Sequence, residues 1–214
     1  MGGHRLKRRS TREQHLPLAV ADLRPTQITV GLREVAEKRR EWDTMPEADR
    51  PEFLARHMIP VLLGPKKRFY VIDHHHLARA LLDEGCETVQ VNVVANLSTL
   101  DRSGFWVFAD NRGWAHPYDG AGKRVDFDQI PRTVAAMTDD PFRSLAGALR
   151  RAGGYPKEGI PFAEFMWADA LRRRIHVRDV EASFSATLVK ALEFAKSHDA
   201  KYLPGWCGPS GMSD

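Results

Sequence analysis

Within seven positions, Asp73, His74, His75, His76 and Arg79 bring together a carboxylate, three imidazoles and a guanidinium. Imidazole titrates near neutral pH, and guanidinium stays charged and forks onto phosphate or carboxylate oxygens, so the cluster suits proton transfer and anion binding. It follows the apolar run Arg68-Phe-Tyr-Val-Ile72 and precedes the stripe Leu77, Ala78, Ala80, Leu81 and Leu82, which places it where a strand meets an amphipathic helix. A helix start exposes unpaired amides and carries about half a positive charge, and together these receive phosphate oxygens directly. Asp73 is expected to cap the helix, with the histidines in its first turn and Arg79 about one turn beyond His75 and His76. A metal held by all three histidines is disfavoured, because neighbouring helical side chains diverge by about 100° and ligand pairs need i,i+3 or i,i+4 spacing. The bland alternative packs one histidine inside, leaves one in solvent and makes Asp73 merely a cap. A cationic helix start is a poor place for protonatable histidines unless an anion or an acceptor offsets them, which favours the functional reading.

The elements that must position these groups are legible on both sides. Ile59–Leu63 and Arg68–Asp73, joined by Gly64-Pro65-Lys66-Lys67, read as a β-hairpin, whose three basic residues 66–68 add charge to the site if the tip faces it. His74–Glu84 reads as a helix stopped by Gly85, and Thr88–Val94 alternates as a strand. Upstream, Leu18–Leu23 reads as a short strand closed by Pro25, and Val30–Trp42 as an exposed amphipathic helix rich in i,i+4 charge pairs. After Asn96 the pattern predicts helices at Ser98–Asn111, Ile130–Met137, Pro141–Ala152, Pro161–Arg174 and Val180–His198. Asp140-Pro141 is a start signal, since Asp caps amides and Pro fits the first helical position.

Other candidates are weaker. Trp114, His116, Tyr118 and Asp119 sit in a Gly-rich loop able to cover a pocket and stack on a base, or simply to be pinned to the core by Trp114. Arg143 and Ser144 read better as part of a surface helix than as contacts to a second phosphate. Arg172, Arg173 and Arg174 close a helix, where positive charge suits the negative helix end without any ligand.

The 214 residues are 43% hydrophobic and 28% charged, an ordinary globular composition. At this length roughly 70% of the unfolded surface is buried, so a core forms without staples. Cys86 and Cys207 have no second cysteine at ligand spacing, which argues against a disulfide framework or zinc ribbon and for a reducing compartment. No apolar run reaches the ~20 residues that span a bilayer and no secretory signal is evident, so no membrane partner and a cytoplasmic location are expected. The net charge of +4 is concentrated in residues 1–12, which hold five cations and no acid. The remaining 202 residues carry 27 basic and 28 acidic groups, so the body is near neutral. That argues against extended duplex binding by the body but leaves room for a basic groove on it.

The segment Val71-Ile-Asp-His-His-His-Leu-Ala-Arg-Ala-Leu81 resembles the ParB/sulfiredoxin superfamily, and within it the ParB-like nuclease family. The segments Leu23-Arg-Pro-Thr-Gln27, Val30-Gly31 with Glu34-Val35, Asp139–Gly147 and Pro161–Trp167 extend the resemblance over roughly residues 17–175. It implies an α+β fold: a small ParB/sulfiredoxin-like mixed sheet with flanking helices plus a C-terminal helical subdomain. The expected organisation is a basic tail over 1–15, a phosphate-binding domain over 16–96 and a helical subdomain over 97–214. The resemblance puts Asp73, His74, His75, His76 and Arg79 in the phosphate-binding signature, Thr26 and Gln27 on the pocket border and Glu34 on the next helix. His75 or His76 would then donate a proton or hydrogen bond, Arg79 would neutralise charge, and Asp73 or Glu34 would orient a nucleophile or a divalent ion. His74, Arg79, Thr26 and Gln27 would contact the nucleotide.

The implied ligand is a nucleoside triphosphate or diphosphate, with magnesium as a companion, no protein metal site, and a small-molecule hydroxyl as a conceivable acceptor. The implied activity is phosphoester or phosphoanhydride chemistry, by hydrolysis or phosphoryl transfer. The competing reading is a non-catalytic nucleotide- or DNA-binding module of partition type. Sulfiredoxins need a cysteine in the signature, and Asp73-His74-His75-His76 has none; partition proteins use an arginine cluster and a helix-turn-helix, and neither is evident. Gly2-Gly3-His4-Arg5 mimics the signature, but no strand precedes it and no amphipathic helix follows.

Overall fold

Period-two alternation along two neighbouring strands decides which core each side chain enters. Residues 14–209 are described by the computed structural model; the basic segment 1–12, with Gly2-Gly3-His4-Arg5, lies outside them. In chain order they form β1 (Gln14–Ala19), β2 (Arg24–Pro25), β3 (Thr29–Val30), α1 (Leu32–Thr44), α2 (Arg50–Arg56), β4 (Ile59–Gly64), β5 (Arg68–Val71) and α3 (His75–Asp83). Then follow β6 (Thr88–Asn96), α4 (Arg102–Asn111), β7 (Thr138–Asp139), α5 (Pro141–Arg151), α6 (Ala163–Arg172), α7 (Val177–Ala182) and α8 (Phe184–Lys196). The fold is α+β. A mixed five-stranded sheet has the order β1-β6-β4-β5-β2, with β6·β4 and β5·β2 parallel and β1·β6 and β4·β5 antiparallel.

Val61 and Val71, paired across the hairpin, enter a core shared with Val35 and Trp42 of α1 and Leu77 and Leu81 of α3. The adjacent Leu62 and Tyr70 enter a second core with Phe105 and Trp106 of α4. The sheet is thus covered on both faces, which accounts for the nearly unbroken apolar run of β4. A third core, around Leu145, Leu149, Trp167 and Leu171, unites α5, α6 and α8. Asp140 caps α5 as expected, its Oδ1 accepting the Phe142 amide at 3.0 Å.

Three sequence expectations are corrected and one helix is added. Leu18–Leu23 is not one strand: β1 ends at Ala19 and a single 3-10 turn follows over Val20–Asp22. Ile130–Met137 is not an α-helix, because Pro131 lacks an amide donor and the chain must straighten so that β7 pairs in parallel with β3; only a 3-10 turn at Val134–Ala136 forms. Val180–His198 is two helices broken at Ser183. The unforeseen α2 carries Pro51 in its first turn, a start signal that the sequence did contain.

Gly31, just before α1, explains how closely α5 approaches the start of α1. A Cβ there would lie 2.5 Å from Ser144 Oγ and 2.6 Å from the Ser144 amide nitrogen, so only hydrogen fits between α1 and α5.

Candidate functional site

A cleft of about 630 Å³ opens where the start of α3 faces α5, α6 and the loop between them. Chain direction places it: β5 delivers Asp73 and His74 to the sheet end, and α1 and α5 flank them with Glu34 and Arg143.

The expected residues divide clearly. Asp73, His74, His75, His76, Gln27 and Glu34 line the cleft, whereas Thr26 and Arg79 do not. The structure corrects the expectation that Asp73 caps α3. Its Oδ1 accepts only the His74 amide, at 2.7 Å, and the residue at the cap position is His74 itself, in the left-handed region at φ 64. His75 and His76 are buried, and each Nε2 accepts a backbone hydrogen bond: from Thr26 at 3.3 Å and from Gly31 at 3.0 Å. Burial pushes the His75 imidazole well below its ordinary pKa, with His76 and Arg143 adding repulsion. Burial, reinforced by Arg143, pushes His76 down to about 3. Both rings are therefore neutral acceptors that tie the signature to the segment before α1.

His74 differs. It is half-buried, burial lowers its pKa, and its Nδ1 is enclosed without a hydrogen-bond partner. Thr26 is buried beneath the signature, its hydroxyl donating to the Val71 carbonyl at 2.7 Å, and Gln27 donates to the Thr29 carbonyl at 2.8 Å. Arg79 is held by Asp83 at 2.9 Å and donates to the Met137 carbonyl at 3.0 Å. Glu34 lies in the first turn of α1 with Oε2 unpartnered and Oε1 3.6 Å from Arg151.

The structure corrects the surface-helix reading that the sequence favoured for Arg143 over a contact to a second phosphate. Arg143 is 5% exposed rather than on a surface helix, its guanidinium lies 3.4 Å from the centre of the Phe165 ring, and Glu164 contacts it at 3.4 Å. Its Nε and Nη1 have no partner, and the neighbouring Ser144 Oγ is likewise unpartnered. The available signal was an arginine beside the buried stripe Phe142, Leu145, Ala146 and Leu149. Lys38, Arg150 and Lys157 complete four cleft cations, matched by the carboxylates of Glu34, Asp73, Glu158 and Glu164. Such interleaving suits the binding of an anion beside groups able to move protons. Among the described residues no three His, Cys, Asp or Glu side chains converge as metal ligands.

The aromatic loop goes two ways. Trp114 lines this cleft, whereas His116, Tyr118 and Asp119 line a neighbouring hollow of about 580 Å³. His116 stacks on Tyr118 at 4.3 Å and approaches Phe165 at 3.7 Å, and burial pushes its pKa down to about 3. Gly113, Phe162 and Phe165 line both hollows, and Phe162 sits in the left-handed region at φ 60. Arg172 bonds Asp140 at 2.5 Å and Arg173 bonds Asp169 at 3.0 Å. Lys66 and Arg68 face away from the α3 cleft, at the opposite end of β5.

The family described as "Putative ParB-like nuclease" matches residues 16–173. Among solved structures, this chain is similar to protein Atu1540 from Agrobacterium tumefaciens, with 48% sequence identity and a TM-score of 0.88 over 93% of this chain and 99% of that one. No curated protein matches. Among the described residues no helix is long and apolar enough to cross a membrane.

Proposed function

Taking as premise that the chain belongs to the ParB-like nuclease family, we propose that the cleft at the start of α3 binds the phosphates of a nucleotide and cleaves a phosphoester or phosphoanhydride bond. The observation that carries this reading is Arg143: a guanidinium buried beside Phe165 with Nε and Nη1 unpartnered, in the same cleft as the unpartnered His74 Nδ1. A buried arginine with idle donors costs stability unless a ligand accepts from it, and phosphate oxygens match its fork. The start of α3 adds free amides and dipole charge.

In this mechanism Arg143 and the α3 amides hold the phosphate and stabilise the charge that develops on its oxygens. His74, kept neutral at pH 7 by burial, takes the proton of the attacking water as its oxygen bonds phosphorus and the leaving oxygen departs. His75 and His76 hold the platform, because their Nε2 atoms are already engaged by backbone amides. Glu34 orients the water, and Arg79 braces α3 from outside the cleft.

The test incubates the purified chain with each nucleoside triphosphate and diphosphate, with and without magnesium, following phosphate and diphosphate release beside nicking of supercoiled DNA. Turnover in the wild type that is lost in Arg143→Gln supports the proposal. Saturable binding without turnover assigns the cleft to a non-catalytic module, and no binding removes the reading.

A further inference from the structure

The described residues hold a cationic feature remote from the charge-balanced α3 cleft and unused by its chemistry. A depression of about 270 Å³ lies at the far end of β5, between the β4–β5 hairpin tip, β2 and the start of α4. Five of its lining residues are cations, Arg24, Lys66, Arg68, Arg102 and Arg132, and none is an acid. None of the five has a carboxylate partner among the described residues, although most of the other described arginines are paired. On a body whose charges nearly cancel, five uncompensated cations around one concavity form a local field that attracts anions.

The tip is also held in an unusual backbone state. Lys66 and Lys67 both have positive φ, 58 and 54, a conformation that disfavours side chains and persists only where the surroundings impose it. The floor beneath is rigid: Tyr70 and Trp106 are buried, with ring centroids 5.6 Å apart, and a Cβ on Gly64 would collide with Tyr70 and Phe105. The cations are therefore displayed on a fixed support.

We propose that this depression seats the sugar-phosphate backbone of a nucleic-acid strand, as a binding site separate from the α3 cleft. Four of the five cations are arginines, whose planar forks match phosphate oxygens, and the exposure of Lys66, Arg68, Arg102 and Arg132 lets a passing polymer reach them. The volume falls below the roughly 300 Å³ at which pockets enclose a whole small ligand, which favours a phosphate or two of a longer chain over a complete free nucleotide. Tyr70 and Trp106 are buried and half-buried Phe127 has one face stacked on Trp106, whereas the cations face solvent, so the main contact is to the backbone and depends little on base sequence.

The test measures fluorescence anisotropy of labelled single-stranded and duplex oligonucleotides over a series of potassium chloride concentrations. The proteins are the full chain, the triple variant Arg68→Glu/Arg102→Glu/Arg132→Glu, and the triple variant with lysine at the same positions. All three positions are exposed, so both variants are expected to fold. The wild type should bind at least one of the two probes with an affinity that falls as salt rises. The glutamate variant should lose at least about tenfold in affinity, and its log-log salt slope should shrink by about 3, one for each phosphate contact removed. The lysine variant should keep most of that slope. Retained binding in the glutamate variant, equal loss in both variants, absence of wild-type binding, or equal binding of a labelled poly-glutamate overturns the proposal. Inorganic triphosphate as competitor separates the sources of the chemistry: displacement only at large excess supports a polymer site, and tight stoichiometric displacement overturns it in favour of a small-anion site. Phosphate release from nucleotides, read on the same proteins, reports the α3 cleft independently.

Discussion

The backbone amide of Gly31 donates to His76 Nε2 at 3.0 Å, a bond that joins the N-termini of α1 and α3 by way of an uncharged imidazole. His76 and His116 are each held down to about pKa 3, chiefly by burial. Both take up a proton near pH 6.5 in the unfolded chain but resist it in the native fold. Their contribution to stability is therefore complete above about pH 6.5 and declines as pH falls toward 3, by roughly 1.4 kcal/mol per pH unit for each histidine. Urea midpoints at several pH values should fall steadily below pH 6.5; a flat profile from pH 7 to 5 contradicts this.

His76→Ala should flatten part of that profile while lowering stability at neutral pH. It leaves the Gly31 amide buried without an acceptor and opens a cavity, at a combined cost of about 2 to 4 kcal/mol. Chemical denaturation at pH 7.5 reads this directly.

His74→Gly separates support from chemistry. Glycine relieves the left-handed backbone at φ 64 but gains freedom in the unfolded chain, so the unfolding free energy should change by less than about 1 kcal/mol. Nucleotide turnover should nevertheless fall by about 10²-fold or more, because the imidazole is gone. Parallel denaturation and phosphate-release assays check both halves.

Arg143→Lys keeps the positive charge and loses the fork. Phosphate affinity should drop about tenfold, less than in Arg143→Gln, where charge and fork both disappear. Calorimetric titration with nucleoside triphosphate distinguishes the two variants.

Gly31→Ala should cost about 1 to 3 kcal/mol, since its Cβ meets the backbone nitrogen of Ser144, which cannot swing aside as a side-chain tip does. Thermal unfolding measures the loss.

Much of this was readable along the chain, and the exceptions have physical causes. The hairpin, α3 and the cap of α5 are local events written by alternation, by Gly64-Pro65 and by Asp140-Pro141. The clustering of His74, His75 and His76 at a cleft followed from the same local pattern. Which imidazole stays unengaged did not, because the donors to the other two, Thr26 and Gly31, lie 49 and 45 residues away. Arg143 reads as a surface residue until Phe165 and Glu164, one helix later, fold over it. The failed helix at Ile130–Met137 likewise has a cause that apolar spacing hides: Pro131 has no amide to donate, and β3 pairs with Thr138 and Asp139 immediately after the segment.

The partition formed by Gly113, Phe162 and Phe165 leaves the two hollows adjoining yet distinct. Trimming Phe162 to alanine would thin this wall while leaving Phe165 and Gly113 in it, without touching Arg143 or His74. Phe162 is thus a removable part of the wall between the hollows, which makes that position a natural starting point for joining them by design.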